Sequence, residues 1–247
     1  MQFILHADDF GRTETVNESI TYGFKNGYLS RTTIMVNMPY YQEAKGLARD
    51  YGFYDKIGLH INIVCGDPLT EPIKSCPNFT NKNGKFNGRF FQNKRLWFFL
   101  SIKEKKALYL EIEAQIKRYL EDGFTLLHAD SHGHTHTFPA INKIVIKLLK
   151  KYRFKSVRVT RNVGLKPGQK LYKLIMDNRN RWFNRVRHSV VEHFGSCSDV
   201  MRNYDALRGL CEVMMHPNIY NDIMLVEEEV TYQLLYDFIQ SRGGVIL

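Results

Sequence analysis

An α/β fold built on a parallel sheet is what this chain predicts, and three observations carry the prediction. Strand-like and helix-like stretches alternate about seven times, the pattern of a parallel sheet wound by helices. No linker, repeat or low-complexity segment divides them, so residues 1–247 read as one domain with a loop insertion at 64–101. Polar residues gather at strand ends: Asp8 and Asp9 close the first strand, His60 lies near the end of the third, and His132, Arg161 and His216 follow the fourth, fifth and sixth. An open doubly wound sheet concentrates ligand contacts near one switch point, whereas a barrel brings all its C-terminal strand ends to one mouth. A (β/α) barrel of about seven parallel strands is therefore favoured.

The elements follow in order. Gln2 to Ala7 is an apolar run that meets a turn at Asp8-Asp9-Phe10-Gly11. Thr13 can cap a helix to Lys25, with Val16, Ile20 and Phe24 on one face and Asn26-Gly27 as its stop. Ser30 to Val36 is β-rich, a helix runs from Pro39 towards Gly52, and Lys56 to Ile63 is the third strand. From Val64 onward Pro, Gly and Asn are frequent and periodicity is weak, so the insertion reads as a lid over the site. Ser101 and Glu104 form a capping box for a helix that ends at Gly123. Phe124 to Ala129 reads as the fourth strand, and Pro139 opens a helix whose Ile141, Ile144, Val145 and Leu148 face inward. Ser156 to Thr160 is the fifth strand. Leu171 to Phe194 reads as a helix broken around Asp177 to Asn180, Cys211 to Met215 as the sixth strand, Glu227 to Ser241 as the last helix, and Gly244 to Leu247 as the closing strand.

Composition bounds the function. With 44% hydrophobic and 24% charged residues the chain can bury a full core, and a formal charge of +10 favours anionic partners. The four cysteines form no C-x-x-C pair, which favours reduced thiols. With neither a signal-peptide core nor a long apolar run in view, the expected location is cytoplasmic.

The stretch Leu127 to His136 holds four of the nine histidines and Asp130. On an extended backbone residues two apart share a face, so His128, Asp130, His132, His134 and His136 would point one way, a set suited to a divalent metal. A polar turn with histidines bonded to backbone is the alternative. Asp8-Asp9, a solvated turn in most settings, follows an apolar strand directly, and two neighbouring carboxylates can divide the work of metal ligand and proton carrier. His60 and His216, each beside apolar residues, suit packing or ligation equally.

Four stretches in this order resemble the YdjC/ChbG-type carbohydrate deacetylases: His6-Ala7-Asp8-Asp9-Phe10-Gly11, Gly58 to Ile63 with Gly66 and Pro68, His128 to His136 with Pro139, and Glu212 to Pro217. The resemblance covers most of the chain and implies a deformed (β/α) barrel related to polysaccharide deacetylases. It implies one divalent ion, Mg²⁺ or Zn²⁺, on Asp9, His60 and His132, with Asp8 as general base and His216 as general acid. The reaction implied is hydrolysis of an N-acetyl group on an amino sugar or glycan, with release of acetate. Two departures stand beside the site: His6 where the family usually has Asn, and Gly133 where His or Gln is common.

Arg158 and Arg161 are candidates for an anionic part of the substrate, and His134 and His136 for orienting a ligand or capping the next helix. An anionic or lipid-linked sugar, peripheral membrane contact and a homodimer stay open. A metal-dependent phosphoesterase would use a similar set but calls for more bridging carboxylates. A nucleic-acid module would read the run Arg179 to His188 as phosphate and stacking contacts; nucleic acid is not expected, because an exposed basic helix face explains that run.

Overall fold

The computed structural model describes residues 1–165 and 191–247, together with Leu171, Leu174, Ile175 and residues 177–179. Its centre is a parallel sheet of β1 (Gln2–Phe10), β2 (Arg31–Ile34), β3 (Ile57–Ile61), β4 (His128–Ser131), β5 (Ser156–Val157), β6 (His193–Ser196) and β7 (Leu210–Met215). The strands lie in the order β5-β4-β3-β2-β1-β7-β6, and every neighbouring pair is parallel. The sheet curls until its edges meet across a seam. There the Asn162 and Val163 N–H groups donate to the Phe194 carbonyl (3.1 and 3.2 Å), and the Phe194 N–H donates to Asn162 Oδ1 at 2.9 Å. The expected barrel is thus a curled half-barrel, closed by loop hydrogen bonds where β5 is too short to pair.

Both faces of the strands are covered, as a parallel sheet requires. Phe3, Leu5 and Ala7 of β1 pack outward in the apolar core with Ile20, Ile112, Ile116, Leu235 and Ile239 from the surrounding helices. The alternate residues face inward, and many of them are polar: His6 and Asp8 on β1, Arg31 and Thr33 on β2, His60 on β3, His128 and Asp130 on β4, and Glu212 on β7. Gly58 leaves room for this layer, because a Cβ there would stand 2.9 Å from the His128 carbonyl oxygen.

The helix caps read from the sequence are present. Thr13 accepts from the Val16 N–H, and Ser101 with Glu104 forms the capping box of the helix Ile102–Glu121. Several boundaries differ. Phe124 to Leu127 lies outside β4, its Phe124 ring stacking on Tyr119 and Tyr54. The supposed helix to Phe194 is corrected, since His193–Ser196 is strand β6, and Asp177, Asn178 and Arg179 are helical where a break was expected. Beyond Arg179 the basic and aromatic run to His188 lies outside the described residues. After β7 comes an antiparallel ribbon of β8 (Asn218–Tyr220), β9 (Ile223–Glu227) and β10 (Val230–Thr231), and the last helix begins only at Tyr232. The final strand, β11 (Val245–Ile246), pairs in parallel with the start of β1.

The 64–101 segment is not structureless. It carries short helices at Glu71–Lys74 and Arg89–Gln92 and a 3₁₀ turn at Lys94–Trp97, and it buries Ile73, Phe79, Phe86, Phe90, Leu96 and Leu100. Apolar burial with so little regular periodicity is what hid this order in the sequence.

Candidate active site

The site starts from an irregularity in β1. Ala7 pairs with Thr32 and Phe10 with Ile34, so two residues of β1 oppose one of β2, a bulge that places Asp9 in the left-handed region at φ 70°. Without the bulge Asp9 would point away from the interior face. With it, Asp8 stays on the face shared with His6, while Asp9 turns towards His60 at the end of β3 and His132 just after β4.

Asp9, His60 and His132 offer one donor atom each, all within 4.8 Å of one another. Asp9 Oδ1 lies 2.7 Å from His132 Nδ1 and 3.1 Å from His60 Nε2. His60 Nδ1 sits 2.6 Å from Asp130 Oδ1, which fixes the ring with its Nδ1 proton on the carboxylate and leaves Nε2 as the electron-pair donor of the neutral ring. That Nε2 is buried, is not aligned to bond with Asp9, and has no hydrogen-bond partner. A buried nitrogen and a buried carboxylate thus face each other 3.1 Å apart. Although burial disfavours the proton, Asp130 first, then Asp9 and Asp8, raise the His60 pKa to about 10. Burial also opposes ionisation of Asp9, but the His132 hydrogen bond and the close His60 ring outweigh it and hold that carboxyl far below its usual range.

Charge count points the same way. Asp8, Asp9, Asp130 and Glu212 are buried, while among the described residues the arginines set between them are Arg31 and Arg158; Arg12 reaches Asp9 Oδ2 only from the rim, with 43% of its side chain exposed. The cluster is short of positive charge, and imidazole with carboxylate is the donor set that a divalent ion takes. The residues present fit such an ion.

Below this lies the network around Arg158. Its guanidinium donates to both oxygens of Asp8 (2.8 and 2.6 Å), lies 2.9 Å from Asp130 Oδ2, and sends Nε to Glu212 Oε1 at 2.6 Å. Arg31 donates to the other Glu212 oxygen at 2.5 Å and to His6 Nδ1 at 2.8 Å. Burial works against the charge on Asp8 and on Glu212, but their arginine partners outweigh it and hold both carboxyls below their usual pKa. His6, His128, Asp130 and Glu212 could also be counted as a donor group, yet Arg31 and Arg158 already stand among them, which makes that set a charge network and a poor cation cage.

Arg158, expected to meet an anionic substrate, is 1% exposed and fully committed to carboxylates. Arg161 is paired with Asp199 at a half-exposed position. His134 lies off the shared histidine face: Gly133 and His134 are both left-handed (φ 58° and 54°), so alternation ends at Ser131, and the ring packs edge-on to Phe194. His136 turns back to Ser131 Oγ and the Arg158 carbonyl and holds the turn beneath the site. His216 is exposed one residue past the Ala7–Met215 pair, level with Asp8, with its N–H bonded to the Val226 carbonyl. Arg31, Thr33 and Glu212 carry no role in the sequence reading, and Asp130, expected among the metal-binding face, instead holds His60 Nδ1 and meets Arg158. Glu212 did leave a signal, a single acid inside the apolar strand Leu210 to Met215, which only a buried partner could tolerate.

A curled parallel α/β sheet with a buried Asp-His-His group at its C-terminal strand ends defines the class of this protein. A model of YdjC-like protein matches residues 2–238, and the chain belongs to that family. The carbohydrate deacetylase of Thermoanaerobacter pseudethanolicus is 30% identical over 248 residues, covering 95% of this chain and 90% of the relative. That of Vibrio cholerae serotype O1 is 39% identical over 153 residues, 62% of this chain, so the match spans only about half (56%) of the relative's length. In fold the chain is similar, with a TM-score of 0.73 and 19% identity, to the crystal structure of an Enterococcus faecalis protein provisionally described as a cellobiose-phosphate cleavage protein, covering 100% of this chain and 96% of that one.

Proposed function

We propose that this protein is a metal-dependent carbohydrate N-deacetylase that hydrolyses an N-acetyl group on an amino sugar and releases acetate. The observation that carries the reading is the convergence of Asp9, His60 and His132 with an unbonded His60 Nε2 beside the clamped carboxylate of Asp8. Asp9, His60 and His132 would hold a divalent ion, which would supply Lewis acidity to the acetamide carbonyl and to water. Asp8 accepts the proton of the attacking water, and Arg158 fixes its orientation and keeps it ionised. That clamp lowers the basicity of Asp8 but guarantees the free carboxylate at neutral pH. Asp130 orients His60, and His216, exposed at the end of β7, donates a proton to the departing amine. The carbohydrate deacetylase relatives support the substrate class. A two-metal phosphoesterase is disfavoured, because the carboxylates of both neighbouring donor groups, His6-His128-Asp130-Glu212 and Asp8-His60-Asp130, are already paired with Arg158. The test is acetate release from a panel of N-acetylated sugars, with and without added Mg²⁺ or Zn²⁺; no release from any sugar at full ion loading would reject the reading.

A further inference from the structure

We propose that the corner formed by residues 94–106 docks on an anionic membrane surface. Phe98, Phe99 and Ile102 are 58%, 69% and 74% exposed, an apolar tip that the fold leaves uncovered. Around it stand Lys94, Arg95, Lys103, Lys105 and Lys106, all exposed, while the single acid of the segment, Glu104, is buried in the capping box. The tip is held in place by its neighbours. Leu96 and Leu100 are buried, and the Trp97 ring stacks on Phe138 at 4.5 Å and donates Nε1–H to the Phe90 carbonyl at 3.1 Å. Two exposed phenylalanines between two buried anchors are a built projection rather than a frayed loop.

Charge complementarity selects the partner. Aromatic side chains ringed by cations match a bilayer, whose anionic headgroups lie above an apolar layer, and the rings can enter the boundary while the lysines stay at the phosphates. A formal charge of +10 adds a long-range attraction of the same sign. The corner is also mechanically joined to the candidate site. Phe138, on which Trp97 stacks, follows directly on the turn His132–Thr137, and Phe91 packs against Gly133 of that turn. The inference itself is independent of the deacetylase reading, because membrane binding is measured without turnover.

The experiment is cosedimentation of the full chain with vesicles of phosphatidylcholine alone and of phosphatidylcholine mixed with phosphatidylglycerol. Binding to the anionic vesicles, weakened by salt, is expected. The exposed double variants Phe98→Ser/Phe99→Ser and Lys94→Glu/Arg95→Glu should each weaken it about tenfold or more, with unchanged thermal unfolding. Phe98→Trp should gain fluorescence that brominated acyl chains quench. Absence of vesicle binding, undiminished binding by both double variants, an unquenched Trp, or a preference for single-stranded oligonucleotides over vesicles would each overturn the proposal.

Discussion

Arg158 holds Asp8 with both terminal guanidinium nitrogens while its Nε holds Glu212, so one buried side chain ties the end of β1 to the interior of β7. A pair of ionic contacts this deep contributes little compared with an apolar filling, but breaking it strands charge. Arg158→Met should therefore cost about 3–5 kcal/mol in urea unfolding, since Asp8, Asp130 and Glu212 lose a common partner. An unchanged unfolding midpoint would mean that these carboxyls are protonated in the folded protein.

The bulge sends the neighbours Asp8 and Asp9 in different directions, so substitutions at the two should have different effects. Asp8→Asn should keep the bound ion and lower kcat by roughly 100-fold or more, the scale of a lost general base. Asp9→Asn should lose the ion, with activity partly restored by excess metal. Near-normal kcat for Asp8→Asn at full ion loading would remove Asp8 from the reaction.

Elemental analysis of purified protein should find about one divalent ion per chain, reduced by His60→Ala or His132→Ala. His216→Ala should leave that content unchanged and abolish the basic limb of the pH–rate profile. Two tightly held ions would favour the phosphoesterase.

His136 gives a pH prediction of stability. Burial, then the neighbouring His134, lower its pKa to about 3 from 6.5. The unfolded chain then binds the proton first, so falling pH favours unfolding throughout that interval, by up to about 1.4 kcal/mol per pH unit. Ordinary carboxyls take up protons at about pH 4, inside the lower part of that interval, so its upper part reports chiefly on histidine. In urea titrations from neutral pH to about 5, His136→Gln should flatten the decline by close to one proton; an identical slope would show that His136 is not buried in its neutral form.

Gly133 tests the turn that presents His132. Its φ is 58°, and a Cβ there would lie 2.3 Å from Phe91 Cζ. Gly133→Ala should destabilise by about 1–3 kcal/mol and weaken ion binding. The double variant with Phe91→Ala should recover part of the loss, and strict additivity of the two would show that ring and turn do not press on each other.

The sequence made the alternating architecture legible because parallel strands covered on both faces leave long apolar runs, as around Leu5 and Ile61. The strand-end positions of Asp9, His60 and His132 were legible for the same reason: a charge directly after such a run sits at a mouth. Strand β6 was not, since His193 to Ser196 carries a single apolar side chain, Phe194, beside a glycine and two polar residues, and leaves no apolar run. The ribbon β8–β9 was missed although its turn, Asn221-Asp222 with both residues at positive φ, is a recognisable hairpin pair. The histidine run misled for a physical reason. Counting alternate residues assumes extended backbone, and Gly133 with His134 ends that extension at the point where the chemistry begins. The duty of Arg158 could not be read at all, because an arginine looks alike in sequence whether it meets solvent or three carboxylates.

The left-handed backbone of Asp9 has an evolutionary consequence. Asp and Asn tolerate that conformation better than other residues with a side chain, and Gly tolerates it best. The position is therefore a trade-off between backbone ease and chemistry: a glycine there would relax the turn while deleting the carboxylate that meets Arg12 and His132. Drift towards a relaxed but inert descendant lies one residue away, and the substitutions that keep both the bend and an oxygen in place form a very short list.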